Sequence, residues 1–145
     1  YNGDSLAALT NLTELHMPGN IESLEPLRNL TNLHTLNIRY SSRLIKENFQ
    51  SLSLLSGLPN LQQLEAWGAN EVTDLSPIGG LTQLTSLAIN ISGGEINTPI
   101  SLAPLANLTN LQTLTLQVRA SDLSPLSALT GLQTLTLRYP ELVSD

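Results

Sequence analysis

Side chains that could support catalysis or bind a metal are few and scattered along this 145-residue chain. The two histidines, His16 and His34, stand apart, cysteine is absent, and the acidic residues form no paired set. A nucleophile with its general base, or a metal centre, needs such groups in close combination. No glycine-rich phosphate loop precedes a predicted helix. The sequence therefore predicts no catalytic residue, no metal and no cofactor.

The aromatic and arginine residues indicate binding instead. The single tryptophan, Trp67, shares an equivalent position of a repeated unit with Arg39, and Tyr40 follows Arg39 directly. Trp, Tyr and Arg are the residue types most enriched at the energetic centres of protein interfaces. The alternative is local packing, with the Trp67 ring lying on a neighbouring strand or beneath residues 41–57. Both interpretations stay open from the sequence.

The charge of the chain limits the class of partner. The net charge is −6, and only six lysines and arginines occur, without clustering. Binding to nucleic acid, or to an anionic membrane surface, needs a concentrated basic patch. No apolar run reaches the length of a membrane span. We therefore expect a protein partner, with no nucleic acid and no membrane insertion.

The elements that position these residues come from an internal repeat. The phrase Leu108-Thr109-Asn110-Leu111 and its near copies begin at residues 9, 30, 58, 81, 108 and 129, which are 21, 28, 23, 27 and 21 residues apart. A period in this range indicates a solenoid of stacked coils. We expect one domain over residues 1–145, with a partial repeat at 1–8 and six repeats from those starting points.

Each repeat predicts a strand followed by a short helical turn. Residues 112–116 alternate between polar and apolar types, as in a strand that is buried on one side. Pro125 then suits the first turn of a short 3₁₀ or α helix. Equivalent prolines are Pro26, Pro77 and Pro104. Two repeats are longer than the others. Phe49, Leu52 and Leu55 predict an extra short helix in one, and residues 92–99 predict a loop in the other. Each insertion is either part of a functional surface or loop growth that the fold tolerates.

Alternation along the strands also predicts which side chains face outward. Counted from the first leucine of each phrase, positions 6, 8, 10 and 11 are expected on the exposed, concave side of the sheet. Four threonines there (113, 115, 134 and 136) would form a solvated patch. The candidate protein-binding residues on this side are His16, Asn37, Arg39, Tyr40, Glu65, Trp67, Asn90, Gln117, Arg138 and Tyr139.

The repeated phrase, with Asp122-Leu-Ser-Pro-Leu126 before the next copy, resembles the bacterial leucine-rich repeat of the internalin type. The resemblance covers about residues 6 to 137. It implies an α/β leucine-rich repeat solenoid, a curved right-handed superhelix with a parallel concave sheet and short 3₁₀ or α convex turns. It also implies an extracellular or cell-surface protein that binds a host receptor or another surface component. A structural spacer, or a scaffold segment of an effector, is the alternative.

Two departures from that family are expected to matter. Only Asn20 holds position 12, where the family places a ladder of asparagines, and Asn70 is displaced by one residue. We therefore expect a distorted stack with uneven turns, because unpaired buried backbone groups are destabilising. Neither terminus resembles an end cap. This predicts part of a longer array, or end-to-end self-association through the uncapped termini.

Overall fold

A computed structural model shows six strands, and it describes residues 4–17, 24–39, 49–68, 74–91 and 99–138. Each predicted repeat contributes one strand, because its alternating segment has leucine on one side and polar residues on the other. The strands are β1 (Glu14–Met17), β2 (Thr35–Arg39), β3 (Gln63–Trp67), β4 (Ser86–Asn90), β5 (Thr113–Gln117) and β6 (Thr134–Arg138).

The strands form one parallel sheet in the order of the sequence. Every strand pairs with the next in the same register, so that Leu36, Leu64 and Leu87 lie side by side. The carbonyl of His34 accepts two backbone hydrogen bonds, from the N–H groups of Gln62 and Gln63, both at 2.9 Å. The same paired contact recurs at each of the five steps between coils. The solenoid and the parallel sheet predicted from the sequence are therefore confirmed.

Short helical turns lie opposite the sheet and complete each coil. Four of them carry the predicted proline in their first two positions, where the missing N–H leaves no partner unsatisfied. The longer 3₁₀ helix confirms the helix expected around Leu55. The turns are α1 (Asp4–Ala7), α2 (Ser76–Gly79) and four 3₁₀ helices, Glu25–Asn29, Phe49–Gly57, Ala103–Asn107 and Ser124–Ala128.

The core is a column of leucine and isoleucine between the sheet and the turns. Leu64, Leu87 and Leu114 are fully buried, and no polar or charged residue of the described ranges is buried with them. Core leucines of the outer described coils are more open, with Leu9 51% and Leu135 46% exposed. Each leucine row is thus sealed only where a coil has neighbours on both sides, as expected for a solenoid.

The expected distortion of the stack does not extend to the strand register, which is the same in all five pairings. Asparagines within the repeated phrase supply a ladder that the sequence analysis overlooked. The side-chain amides of Asn32, Asn60 and Asn110 donate to the carbonyls of Thr10, Thr31 and Thr82, each at 2.9 Å. Each bond joins one coil to the preceding one. Asn20 and Asn70 lie outside the described residues, as do residues 92–98 of the loop predicted at 92–99.

Two glycines are required by the local backbone. Gly68, directly after β3, has φ of 82°, a conformation that side chains other than glycine rarely adopt. Gly79 lies where α2 meets the following coil, and a Cβ added there would sit 2.8 Å from the carbonyl oxygen of Pro104. The close approach of these two turns therefore depends on the missing side chain.

Candidate functional site

The outward-facing side chains of positions 6, 8 and 10 form one surface, called here the polar face. The strand register brings position 8 of successive coils into a row that contains His16, Asn37 and Glu65. Position 10 forms a second row of Arg39, Trp67, Asn90, Gln117 and Arg138. The rows predicted from the sequence at these positions are therefore confirmed, and eight of the ten candidate binding residues lie in them.

Glu65 holds together the centre of the polar face. One carboxylate oxygen, Oε2, accepts a hydrogen bond from Asn37 Nδ2 at 2.6 Å and another from Trp67 Nε1 at 3.2 Å. All three side chains are half-buried. A charge-assisted acceptor of this kind fixes its donors more firmly than a neutral one. Asn37, Glu65 and Trp67 are named below the Glu65 cluster.

Arg39 borders the Glu65 cluster without joining it. It lies opposite Trp67 in the β2–β3 pairing, and its side chain is exposed. Described residues form ion pairs between His16 and Glu14, at 2.7 Å, and between Arg28 and Glu25, at 3.3 Å, and neither pair includes Arg39 or Glu65. Within those ranges, therefore, Arg39 has no acidic partner and Glu65 has no basic one.

The position of Trp67 bears on the choice between packing and binding. Its ring is half-buried and its indole N–H contacts Glu65 in the same strand. Packing of the ring beneath the longer repeat remains untested, because residues 41–48 lie outside the described ranges. What the structure gives is an oriented tryptophan on the polar face with part of its surface open to solvent.

The C-terminal half of the polar face is different in chemistry. Asn90 and Gln117 continue the row of Trp67 and are half-buried, and the exposed Arg138 follows them. The threonines at 113, 115, 134 and 136 form the predicted patch on β5 and β6. This half presents neutral polar groups with one cation at its far edge.

The prediction that position 11 faces outward is wrong at Ile91 and Val118. Ile91 is 9% exposed and Val118 is 4% exposed, and both belong to the core. β4 and β5 end at position 10, directly before these two residues. Two-residue alternation therefore no longer applies at position 11. Tyr40 and Tyr139, the two candidate binding residues in this row, lie outside the described residues.

Asp74 and Asp122 each accept hydrogen bonds from the serine two residues later, at the start of a helical turn away from the polar face. Ser76 donates from its hydroxyl (2.6 Å) and its backbone N–H (2.8 Å) to Asp74, and together they lower the pKa of that carboxyl. The backbone N–H of Ser124 and then its hydroxyl, both at 2.8 Å, lower the pKa of Asp122. Both are structural contacts of the turn. Their low pKa values are thus explained without a catalytic role.

The remaining ionisable groups assemble no second site in the described ranges. His16 bonds to Glu14 on the polar face, and His34 contacts the carbonyl of Asn32 at 2.8 Å. Over those ranges no three His, Asp or Glu side chains are grouped as a metal site would require. The helices found there are also too short and polar to cross a membrane.

Stacked coils of a strand, a 3₁₀ turn and an Leu-Thr-Asn-Leu phrase define the chain as a leucine-rich repeat solenoid. Three of the solved structures that it resembles are bacterial leucine-rich repeat proteins, and two of these are internalins. Internalin C2 of Listeria monocytogenes is 31% identical, with a TM-score of 0.75 over 94% of this chain and 56% of that protein. Internalin F of the same species is 27% identical, with a TM-score of 0.68 over 94% and 38%.

A leucine-rich repeat protein of Leptospira interrogans shares the fold, with 21% identity and a TM-score of 0.66 over 99% of this chain and 36% of that one. The chain thus spans about half the length of internalin C2 and less of the other two. No protein-family model and no curated protein matches the chain. These similarities agree with the internalin-type resemblance of the repeat.

Proposed function

We propose that this chain is a non-catalytic protein-binding module that engages its partner through the polar face. The observation that carries the proposal is the Glu65 cluster, in which hydrogen bonds of 2.6 and 3.2 Å orient a partly open tryptophan beside the exposed Arg39. A Trp side chain that is already oriented on the sheet loses little conformational entropy when it binds, and Arg is enriched beside Trp at interface hot spots. Asn90, Gln117 and Arg138 extend the same surface along the sheet.

The similarity to internalins supports a further part of the proposal. We propose that the module acts outside the cell or on the cell surface, in adhesion or contact with a host. The support is the resemblance of the repeat, together with 31% and 27% identity to two Listeria internalins. Fractionation of the source cells, followed by detection of the chain with an antibody, tests the location directly. Detection in the cytosolic fraction alone would contradict it.

Binding through the polar face is tested by capture followed by measurement with a purified partner. The immobilised chain is exposed to host-surface and cell-wall fractions, and the captured protein is then purified. Its Kd is compared for the wild type, for Trp67→Ala and for Arg28→Ala. Arg28 lies in the 3₁₀ helix Glu25–Asn29, away from the sheet, and serves as the control. We expect Trp67→Ala to weaken binding by roughly 30-fold or more, as for an interface hot spot.

The spacer alternative predicts the opposite pattern. A spacer holds neighbouring domains apart, so its performance depends on the number of coils and is indifferent to Trp67→Ala. Circular dichroism of each variant establishes that the fold is intact before binding is compared. Equal Kd values for Trp67→Ala and Arg28→Ala, in folded proteins, would sink the proposed function and favour the spacer.

A further inference from the structure

We propose that the Glu65 cluster is a recognition site for a basic side chain, lysine or arginine, of the protein partner. The inference rests on the proposed function and adds the chemistry of the group that is bound. It begins from the hydrogen bonding of one carboxylate. Both donors, Asn37 Nδ2 and Trp67 Nε1, approach the same oxygen, Oε2. The second oxygen, Oε1, accepts no hydrogen bond from the described residues.

The carboxylate also lacks a compensating positive charge in the described ranges. Its two donors are neutral groups, and the cationic side chain nearest in the strand register, Arg39, makes no ion pair with it. A half-buried carboxylate has lost part of its hydration and so gains from a cation. A basic side chain of the partner could bind Oε1 without displacing either existing hydrogen bond.

Trp67 supplies a second attraction for the same group. The indole N–H lies 3.2 Å from Glu65, so the ring and the carboxylate border one small region of the polar face. A cation within about 6 Å of an indole ring is attracted by its electron-rich face, and tryptophan is the strongest such partner among the side chains. An ammonium or guanidinium group that bound Oε1 and lay over the ring face would contact both a carboxylate and an aromatic ring.

Arg39 sets the chemistry required beside that basic group. It faces Trp67 from the neighbouring strand, at a backbone separation of about 4.8 Å. The positive charge of Arg39 repels an isolated cation bound beside Trp67. The same charge attracts an acidic group of the partner that accompanies the cation. The site therefore fits a partner surface with a basic residue next to an acidic one. The chain's net charge of −6 favours encounter with a basic surface.

The test uses the single tryptophan as the reporter. The indole N–H signal of Trp67 is followed by NMR while a capped Gly-Ser-Arg-Ser-Gly peptide is added, with Gly-Ser-Gln-Ser-Gly as the matched control. We expect a saturable shift with the arginine peptide alone. Glu65→Gln, which keeps the shape and an acceptor but removes the charge, should weaken binding roughly tenfold. Arg39→Ala should strengthen it, because a neighbouring like charge is removed.

Three results would overturn the inference: no saturable shift with the arginine peptide, equal shifts with both peptides, or unchanged binding by a folded Glu65→Gln variant. The outcome is separable from that of the proposed function. If Trp67→Ala abolishes capture of the partner while Glu65→Gln leaves it intact, the binding module stands and the basic-residue site fails. If the arginine peptide binds but capture is indifferent to Trp67→Ala, the module fails instead.

Discussion

The two sides of the sheet differ in how much one coil resembles the next. On the core side, position 7 is leucine in every strand, and its interior copies are fully buried. On the polar face, one residue further along, almost every strand has a different side chain. Stacking constrains the first set, because each leucine must fit the coils above and below it. The second set is free to vary, so it is where recognition can be encoded. The position-8 residues are His16, Asn37, Glu65, Ala88, Thr115 and Thr136.

The largest effect expected from this comparison is at neighbouring residues of β5. Leu114 is fully buried and Thr115 faces outward. Leu114→Ala should lower the free energy of unfolding by about 2–5 kcal/mol, because it leaves a cavity in the leucine column. Thr115→Ala should change it by less than about 0.5 kcal/mol. Urea unfolding of both variants measures the difference, and equal losses would mean that the two sides have been assigned wrongly.

A smaller effect is expected on the helical side of the coils. Gly79→Ala would bring a methyl group to 2.8 Å from the Pro104 carbonyl, and the overlap should destabilise the chain by about 1–3 kcal/mol. Gly80→Ala is the matched control, because its nearest contact would be 3.9 Å away. Thermal unfolding compares the two. A Gly79→Ala protein as stable as Gly80→Ala would show that the turns are free to move apart and that close packing is confined to the leucines.

The asparagine ladder should contribute less per residue. Asn60→Ala removes the hydrogen bond to the Thr31 carbonyl, and we expect a loss of about 1 kcal/mol. Asn11 holds the same place in the first phrase and makes no such bond among the described residues, so Asn11→Ala should be nearly neutral.

The last phrase offers the reverse experiment, because Gly131 stands where most of the other phrases have asparagine. Gly131→Asn should add stability, since the new side-chain amide could donate to the Thr109 carbonyl. Urea unfolding measures the stability of each variant. Equal losses for Asn11→Ala and Asn60→Ala would show that the asparagine hydrogen bonds between coils do not stabilise the chain.

The smallest effect concerns pH and the two aspartates that precede helical turns. Hydrogen bonds from Ser76 and Ser124 lower the pKa values of Asp74 and Asp122 in the folded chain. In the unfolded chain these aspartates have pKa values of about 3.9, so they take up protons at a higher pH than in the folded chain. This stabilisation is present above that pH and is lost as the pH falls through the folded pKa values. The Asp74→Asn, Asp122→Asn double variant should show a shallower loss of stability as the pH falls below about 4. An identical acid profile would contradict the contribution.

Much of the fold could be predicted because one rule repeats. The leucine spacing gave the strands, the prolines gave the turns, and alternation placed Trp67 and Arg39 in one row. The rule failed at Ile91 and Val118, because the strand ends before position 11 and alternation ends with it. The repeat spacing placed Asn37 beside Glu65, but it did not predict that the Glu65 carboxylate accepts hydrogen bonds from both Asn37 and Trp67. A hydrogen bond depends on side-chain rotamers, which the spacing of residues along the chain does not specify.

The uniform register has a consequence for how such a chain can change over generations. Within the sheet, each described strand contacts only the strands of the preceding and following coils. The described helical turns contact one another in the same way. Duplication or deletion of the DNA that encodes one whole coil would therefore leave the contacts between all other coils intact. An insertion or deletion of one residue within a strand would instead move its leucines to the opposite side of the sheet. Each added coil would bring three new outward positions that selection could alter separately. Growth by whole coils thus offers a route to new binding specificity that does not require a new core.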